Sequence, residues 1–179
     1  LRVALRDFVL PDYNIFSSPK LHEIRCYDCT GGDLTEFSRS VSPNITYLAL
    51  ENDDDLLDLR PLEILPNLAV LKIMNSTISD ISAVADFKSL SFLDIWESHV
   101  SDLSFLDDSG SLSRIDILNS PVTCSHIADM AIITKVEIYA PDCLAQDRDN
   151  DIDGAFDLAD AFPFDSDESI DTDSDSVGN

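Results

Sequence analysis

Two consecutive copies of one pattern decide the fold: Leu68 to Ser89, LAVLKIMNSTISDISAVADFKS, and Leu90 to Ser111, LSFLDIWESHVSDLSFLDDSGS. The two copies have the same length, and both have apolar residues at their first, fourth, sixth and eleventh positions. Short alternating segments of this kind are typical of single β-strands, and each can bury its apolar side only against the next copy. The pattern therefore predicts a stacked solenoid with one strand per repeat.

Further copies of the apolar pair lie on both sides of this stretch, at intervals that are nearly constant and shorten slightly towards the C-terminus. We therefore expect five or six parallel strands between residues 21 and 140, with the pair of each strand pointing into one core. The pairs are Ile24 and Cys26, Leu48 and Leu50, Leu71 and Ile73, Leu93 and Ile95, Ile115 and Ile117, and Val136 and Ile138.

The pattern resembles the leucine-rich repeat, and the segments Ile78 to Ser82 (ISDIS) and Val100 to Ser104 (VSDLS) resemble the internalin-type bacterial subclass. This resemblance implies an α/β-type solenoid with a parallel sheet on its concave side and short 3₁₀ or irregular turns on its convex side. We assign residues 21–141 to the repeats. Two copies depart from the pattern, because Cys26 replaces an aliphatic residue and the copy from Leu112 to Thr134 lacks the ISDIS segment.

Residues 1–20 are assigned to an N-terminal cap. Leu1, Leu5, Phe8 and Val9 recur at helical spacing before Pro11, which predicts an amphipathic helix that covers the first repeat. An earlier, broken-off repeat is the alternative.

The residues that alternate with the inward pairs are expected to point out of the concave face. They include the single Trp and three of the four Tyr of the chain, and such an exposed apolar set usually marks recognition. The alternative is that these large side chains lie flat and pack on one another across strands. The candidate ligand-binding residues are Tyr27, Tyr47, Lys72, Met74, Phe92, Asp94, Trp96, Asp116, Leu118 and Tyr139.

Asp94 and Asp116 would lie side by side on adjacent strands, about 5 Å apart, which superficially resembles a pair of catalytic carboxylates. An open face has no pocket that could desolvate one of them and shift its pKa far enough for general acid work. We therefore expect no enzymatic activity and no catalytic residues.

The overall charge limits the class of partner. Thirty-five acidic residues against eleven basic ones give a formal charge of −24, which argues against nucleic acid and against an anionic membrane surface. No apolar run approaches the ~20 residues of a membrane span, so direct membrane insertion is not expected.

Residues 142–179 form a separate acidic segment. Within it, Asp149 to Asp160 (DNDIDGAFDLAD) has oxygen-bearing side chains at its first, third, fifth, ninth and twelfth places and a glycine, Gly154, at its sixth. This is the spacing of a calcium-binding loop, in which the backbone carbonyl of the seventh residue is a further ligand. The segment therefore predicts a calcium site.

The same segment, from about residue 147, resembles the thrombospondin type 3 repeat of bacterial surface and secreted proteins. Phe162 stands where animal repeats have a cysteine, and Ser176 replaces the glycine of a second loop. The resemblance implies an irregular, calcium-bound tail. Its candidate metal ligands are Asp149, Asp151, Asp153, the carbonyl of Ala155, Asp157, Asp160, Asp171, Asp173 and Asp175.

The four cysteines allow disulfides. Cys124 and Cys143 fall in neighbouring return paths of the last two coils, so we expect them to form a disulfide that caps the solenoid. Cys26 and Cys29 form a C-x-x-C, but no second such motif completes a zinc site. A small disulfide and two buried thiols both remain open for this pair.

Together these features indicate a secreted or cell-surface bacterial recognition or adhesion module. It would bind a protein or glycan through its concave face, and a calcium-stiffened spacer would join it to the rest of a larger chain. The alternatives are a purely structural spacer and an accessory domain of a larger secreted enzyme.

Overall fold

The computed structural model describes residues 1–6, 16–28, 34–53 and 58–144. The chain divides into two units, Leu1–Tyr139 and Ala140–Asn179. Of the helices in the described ranges, none has the length and hydropathy needed to cross a membrane.

The first unit is built on one parallel β-sheet, whose seven described strands follow one another in chain order. The constant length of the central repeats sets the register, so that Leu71 lies opposite Leu93, and Leu93 opposite Ile115. The predicted stack of one strand per repeat is confirmed. The strands are β1 (Arg2–Arg6), β2 (Glu23–Tyr27), β3 (Tyr47–Asp53), β4 (Val70–Ser76), β5 (Phe92–Trp96), β6 (Arg114–Leu118) and β7 (Glu137–Tyr139).

Alternate residues of the strands point into one continuous core. In β5 the inward residues Leu93 and Ile95 are 0% exposed, and full burial of a side chain of this size contributes roughly 1.5–3 kcal/mol. All eight residues predicted to form this core from β3 to β6 lie in a single buried cluster: Leu48, Leu50, Leu71, Ile73, Leu93, Ile95, Ile115 and Ile117.

Between the central strands the chain returns through 3₁₀ turns at Arg60–Ile64, Ser82–Asp86 and Ser104–Asp107. The ISDIS and VSDLS segments form the start of two of these turns. Asp80 Oδ1 accepts a hydrogen bond from the backbone N–H of Ser82, and Asp102 Oδ1 accepts one from the N–H of Ser104, both at 2.9 Å. The aspartate of the motif therefore satisfies a backbone donor that the turn itself leaves unpaired.

α-Helices replace the 3₁₀ turns in the outer coils. These helices are α1 (Leu34–Ser40) and α2 (Cys124–Ile133), and a short α3 (Pro141–Leu144) belongs to the second unit. The α2 coil is the one that lacks the ISDIS segment. Its helix begins instead at an N-cap residue, Thr123, whose hydroxyl accepts a hydrogen bond from the N–H of His126 at 3.3 Å.

The helix expected at the N-terminus is wrong for the residues described there. Arg2–Arg6 is strand β1, and it pairs in parallel with β2 so that Val3 lies opposite Ile24 and Leu5 opposite Cys26. The alternative, an earlier repeat, is therefore the better description. Phe8 and Val9 lie outside the described residues.

The register expected for the last strand is also wrong. The repeat pattern aligns Val136 and Ile138 with Ile115 and Ile117, but in the structure Ile138 lies opposite Ile115. The last coil is therefore longer than the pattern implies, because the helix α2 replaces a shorter turn. As a result, Tyr139 moves into register with Asp116.

Several strands end in a left-handed backbone conformation. Asp28, Asn52, Asn75, Glu97 and Asn119 have φ between 49° and 58°. The first three of these residues form a row of side-chain hydrogen bonds that we call the amide row. In it, Asn75 Nδ2 donates to Asn52 Oδ1 at 2.9 Å, and Asn52 Nδ2 donates to Asp28 Oδ1 at 2.6 Å.

Serines follow three of these positions, at the place where the leucine-rich repeat pattern usually has Asn or Cys. Ser76 and Ser98 are buried, and the hydroxyl of Ser98 lies 2.9 Å from that of Ser120. Ser98 Oγ also accepts a hydrogen bond from the backbone N–H of Val100 at 3.3 Å. A hydroxyl therefore satisfies, inside the coil, a backbone group that the turn leaves unpaired.

Cys26, Cys124 and Cys143 are each disulfide-bonded. The pairing of Cys124 with Cys143 stays a prediction, and Cys29 lies outside the described residues. Because Cys26 is in a disulfide, the interpretation of this residue as a buried free thiol is wrong.

Candidate binding face

The strand register arranges the concave face in three columns of side chains. The first contains Arg2, Glu23, Tyr47, Val70, Phe92, Arg114 and Glu137; the second contains Ala4, Arg25, Ala49, Lys72, Asp94, Asp116 and Tyr139; the third contains Tyr27, Glu51, Met74, Trp96 and Leu118. All ten candidate ligand-binding residues lie in these columns. The repeat pattern, which aligns Ile138 with Ile117, predicts Tyr139 in the third column and Glu137 in the second. The observed register of β7 places them in the second and the first.

Basic side chains cover several aromatic rings of this face. The guanidinium of Arg25 lies 4.9 Å from the ring centroid of Tyr47. Lys72 Nζ lies 5.5 Å from the ring centroid of Phe92, which the guanidinium of Arg114 approaches to 5.9 Å from the next strand. These distances are those of cation–π contacts, so the rings pack against neighbouring strands.

The same basic side chains also bind carboxylates. Lys72 Nζ lies 2.5 Å from Asp94 Oδ2. Burial lowers the pKa of Lys72, but the hydrogen bond and the charge of Asp94 outweigh burial and raise this pKa above its ordinary value. Lys72 therefore stays charged at neutral pH, and Asp94 has a fixed partner.

Arg114 contacts several side chains of the face. Its guanidinium donates to both carboxylate oxygens of Asp116, at 2.6 and 3.2 Å, and to Glu137 at 3.0 Å. It also lies 5.4 Å from the ring centroid of Tyr139. Asp94 and Asp116 are in register, as expected, but each is engaged by a different base, and this arrangement gives no pair of free carboxylates.

One set of apolar side chains on this face includes an exposed tryptophan. Met74, Trp96 and Leu118 lie side by side in the third column, and we call them the Trp96 cluster. Met74 and Leu118 are half-buried, whereas Trp96 is 43% exposed. An indole of this size that remains open to solvent on a sheet face is a typical anchor for a partner.

The concave face differs from the rest of the chain in its charge balance. Among side chains that the structure describes, it carries four bases, Arg2, Arg25, Lys72 and Arg114, against five acids, Glu23, Glu51, Asp94, Asp116 and Glu137. The whole chain has a formal charge of −24. Most of the excess negative charge therefore lies elsewhere, and the face is close to neutral.

Two residues were absent from the candidate ligand-binding residues: Arg114 on the face itself and Glu97 just beyond the end of β5. Arg114 makes ion pairs with Asp116 in its own strand and with Glu137 of β7. The sequence signal for it is its outward position in the same column as Phe92, whose ring it approaches. Glu97 follows Trp96 with φ of 51° and an exposed side chain. The residue type gives no signal for this conformation, because glutamate rarely adopts it; the signal lies in the neighbouring repeats, which have Asn75 and Asn119 at the same place.

All nine candidate calcium ligands, from Asp149 to Asp175, lie outside the described residues. The calcium site therefore stays a prediction from the spacing of its carboxylates.

Comparison with known proteins shows the fold. An internalin (inlF) from Listeria monocytogenes superimposes with a TM-score of 0.51 at 17% identity, over 68% of this chain and 41% of that one. Internalin C2 (inlC2) from the same species gives a TM-score of 0.54 at 15% identity, over 78% of this chain and 70% of that one. No family model and no curated protein sequence matches the chain. The first unit therefore has the leucine-rich repeat fold that these internalins share, and the chain spans less than half the length of the first of them.

Proposed function

We propose that the chain is an extracellular recognition module that binds a protein partner through its concave face. The observation that carries this proposal is the Trp96 cluster, an exposed indole flanked by two apolar side chains on a nearly neutral sheet. Large aromatic residues at the centre of a surface supply most of the binding energy in many protein interfaces. The cluster is a binding anchor of this kind.

The surroundings of the cluster support this role. In the first two columns of the face, ion pairs and cation–π contacts restrict the side chains of Lys72, Phe92 and Arg114. Side chains that are ordered before binding lose less conformational entropy when a partner docks. The face can therefore do both things: its other rings pack across strands, and its exposed indole is available for recognition.

The proposed role is not catalytic. Asp94 is engaged by Lys72, and Asp116 by Arg114, so the two carboxylates act as anchors for basic side chains. Binding, rather than chemistry, is the activity that these contacts favour.

The setting of the module is part of the proposal. The internalin-like fold and the calcium-loop spacing of residues 149–160 favour a bacterial protein that is secreted or displayed on the cell surface. There, millimolar external calcium suits a loop rich in carboxylates. The acidic segment would then be a calcium-stiffened spacer within a longer chain.

Trp96→Ala tests the role of the concave face. Wild type and variant are compared by biolayer interferometry against a panel of extracellular protein domains and against a glycan array. We expect a protein partner whose affinity falls by more than tenfold in the variant, since truncation of a central anchor costs about 2 kcal/mol or more.

Ile132→Ala is the matched control, because Ile132 lies on α2 and is 81% exposed. Equal losses in both variants, or an unchanged affinity in Trp96→Ala, would contradict the proposal. A wild-type chain that binds no protein and no glycan would favour the structural spacer.

The calcium spacer has a separate test. Titration calorimetry of the full chain should show calcium binding at or below millimolar concentration, and Asp151→Ala combined with Asp153→Ala should remove the binding at the loop of residues 149–160. Asp165→Ala combined with Asp167→Ala removes the same charge outside the loop and should leave binding intact. If the two double variants behave alike, the loop is not the site.

A further inference from the structure

Trp96 differs from the other aromatic side chains of the concave face in its partners. Arg25 is a partner of both Tyr27 and Tyr47, Lys72 and Arg114 flank Phe92, and Arg114 covers Tyr139. Among the described residues, no basic group lies over the ring of Trp96. Indole is the strongest cation–π acceptor of the three aromatic side chains, so the best acceptor on the face is the one that the described basic residues leave open.

The apolar side chains on either side of the indole ring can contact the methylene groups of a long basic side chain. Met74 and Leu118 lie on the strands on either side, in register with Trp96. Both are half-buried, and together with the indole they form an apolar row across three strands. Lysine and arginine side chains bury their methylene groups on such surfaces and keep their charged ends outside.

A carboxylate stands at the end of the same strand. Glu97 follows Trp96, its side chain is exposed, and two hydrogen bonds fix its backbone. Its N–H donates to the carbonyl of Leu118 at 2.9 Å, and its carbonyl accepts from the N–H of Ser76 at 3.0 Å. The described residues offer Glu97 no ion-pair partner. Its charge is therefore available to a group that binds beside the indole.

We propose that Trp96 and Glu97 bind an arginine or lysine side chain of the partner protein, with the cation over the indole and beside the carboxylate. This inference rests on the proposed function and specifies the chemistry of the partner. Charge complementarity supports it, because a chain of formal charge −24 attracts basic surfaces. The face already contains the same arrangement internally, with Lys72 over Phe92 and bound to Asp94.

The single Trp of the chain makes the test direct. The probe is the capped peptide Gly-Ser-Arg-Gly-Ser-Arg-Gly-Ser, and the readout is the indole N–H resonance of Trp96 in ¹⁵N-labelled protein. We expect a saturable shift with this peptide and none with the same peptide in which citrulline, an uncharged isostere, replaces arginine. Neutral cello- and chito-oligosaccharides are titrated in parallel.

Variants then separate a local site from general charge attraction, with the anisotropy of a labelled arginine peptide as readout. We expect Trp96→Leu to weaken binding by about three- to tenfold, as one partly exposed cation–π contact implies, and Glu97→Gln to weaken it measurably. Asp86→Asn removes the same charge from an exposed position in a 3₁₀ turn and should have no effect.

Three results would overturn the inference: an equal shift with the citrulline peptide, an equal loss in Asp86→Asn and Glu97→Gln, or a shift with the oligosaccharides alone. In each case the proposed function survives if Trp96→Ala still weakens binding to a protein partner by more than tenfold.

Discussion

Glu97 holds a backbone conformation that costs an ordinary L-residue about 1–2 kcal/mol and that asparagine adopts more readily. Glu97 also stands between two asparagines, because the left-handed residues of the neighbouring coils are Asn75 and Asn119. The amide row therefore ends before it. Glu97→Asn should therefore raise the free energy of unfolding by about 0.5–1 kcal/mol. Urea denaturation at pH 7 measures this change.

The control for this variant is Glu97→Gln, which removes the same charge but is too long to join the amide row. If both variants gain equal stability, relief of charge repulsion is the cause, and the backbone argument fails. Glu97→Asn should increase the free energy of unfolding and at the same time weaken binding of the arginine peptide. This combination would mean that Glu97 favours recognition at the expense of stability.

A second single-residue prediction concerns Ser98, whose buried hydroxyl contacts both the N–H of Val100 and the hydroxyl of Ser120. Ser98→Ala leaves these groups without their partner inside the coil, at a cost of about 1–3 kcal/mol. Thermal unfolding should show a lower Tm. Ser101→Ala, at an exposed position in the same return path, should leave the Tm unchanged. If both variants lower the Tm equally, the buried hydrogen bonds of Ser98 do not explain the loss.

At the scale of the element, the 3₁₀ turns make stability depend on pH. Backbone hydrogen bonds from Ser82 and Ser104, above all, lower the pKa values of Asp80 and Asp102, and His126 contributes to the shift of Asp102. A carboxyl whose pKa is lower in the folded state stabilises the fold above its unfolded pKa of about 3.9 and loses this contribution as the pH falls through the folded value.

Asp80→Asn combined with Asp102→Asn keeps an oxygen acceptor for each turn but removes both titrating groups. The urea midpoint of the wild type should therefore fall more steeply between pH 5 and pH 3 than that of the double variant, and the two curves should converge in acid. Asp86→Asn corrects for the general loss of negative charge. Parallel curves for wild type and double variant would contradict this origin of the pH dependence.

The central strands could be predicted from the sequence because their repeat length does not vary. From Leu71 through Leu93 to Ile115 the inward residues recur at one constant interval, and this spacing alone fixes the strand, its neighbour and its inward face. The outer coils lack that regularity. At β1 the alternation of Val3 with Leu5 competes with a helical pattern that starts at Leu1 and continues through Leu5, and pairing with β2 selects the strand.

In the last coil, the repeat pattern does not determine the register of the strand. The apolar residues Val136 and Ile138 fit two registers, and the choice depends on the length of α2, which the repeat pattern does not contain. On the concave face, alternation placed Trp96 correctly, because strand geometry determines side-chain direction. It could not place the ion pairs of Arg114, since the reach of a flexible side chain is not encoded in residue spacing.

At the scale of the whole molecule, each coil of the first unit packs on its sequence neighbours, so interactions are local along the solenoid. One central coil, when fully extended, spans about 75 Å, although it occupies only about 5 Å of the stack. Optical tweezers with handles at the exposed positions Thr46 and Asn119 should therefore record successive extensions of about 70 Å. A single release of the entire segment would contradict this prediction.

Stepwise opening would give the stack a mechanical role. A protein that holds a partner against fluid flow or cell movement experiences tension along its chain. A stack that yields one coil at a time dissipates that work and limits the load on the bound contact, so that the bond lasts longer than it would on a rigid support. The repeat of fixed length gives parallel strands with a constant register. These strands would then let the module dissipate mechanical work by unfolding one coil at a time.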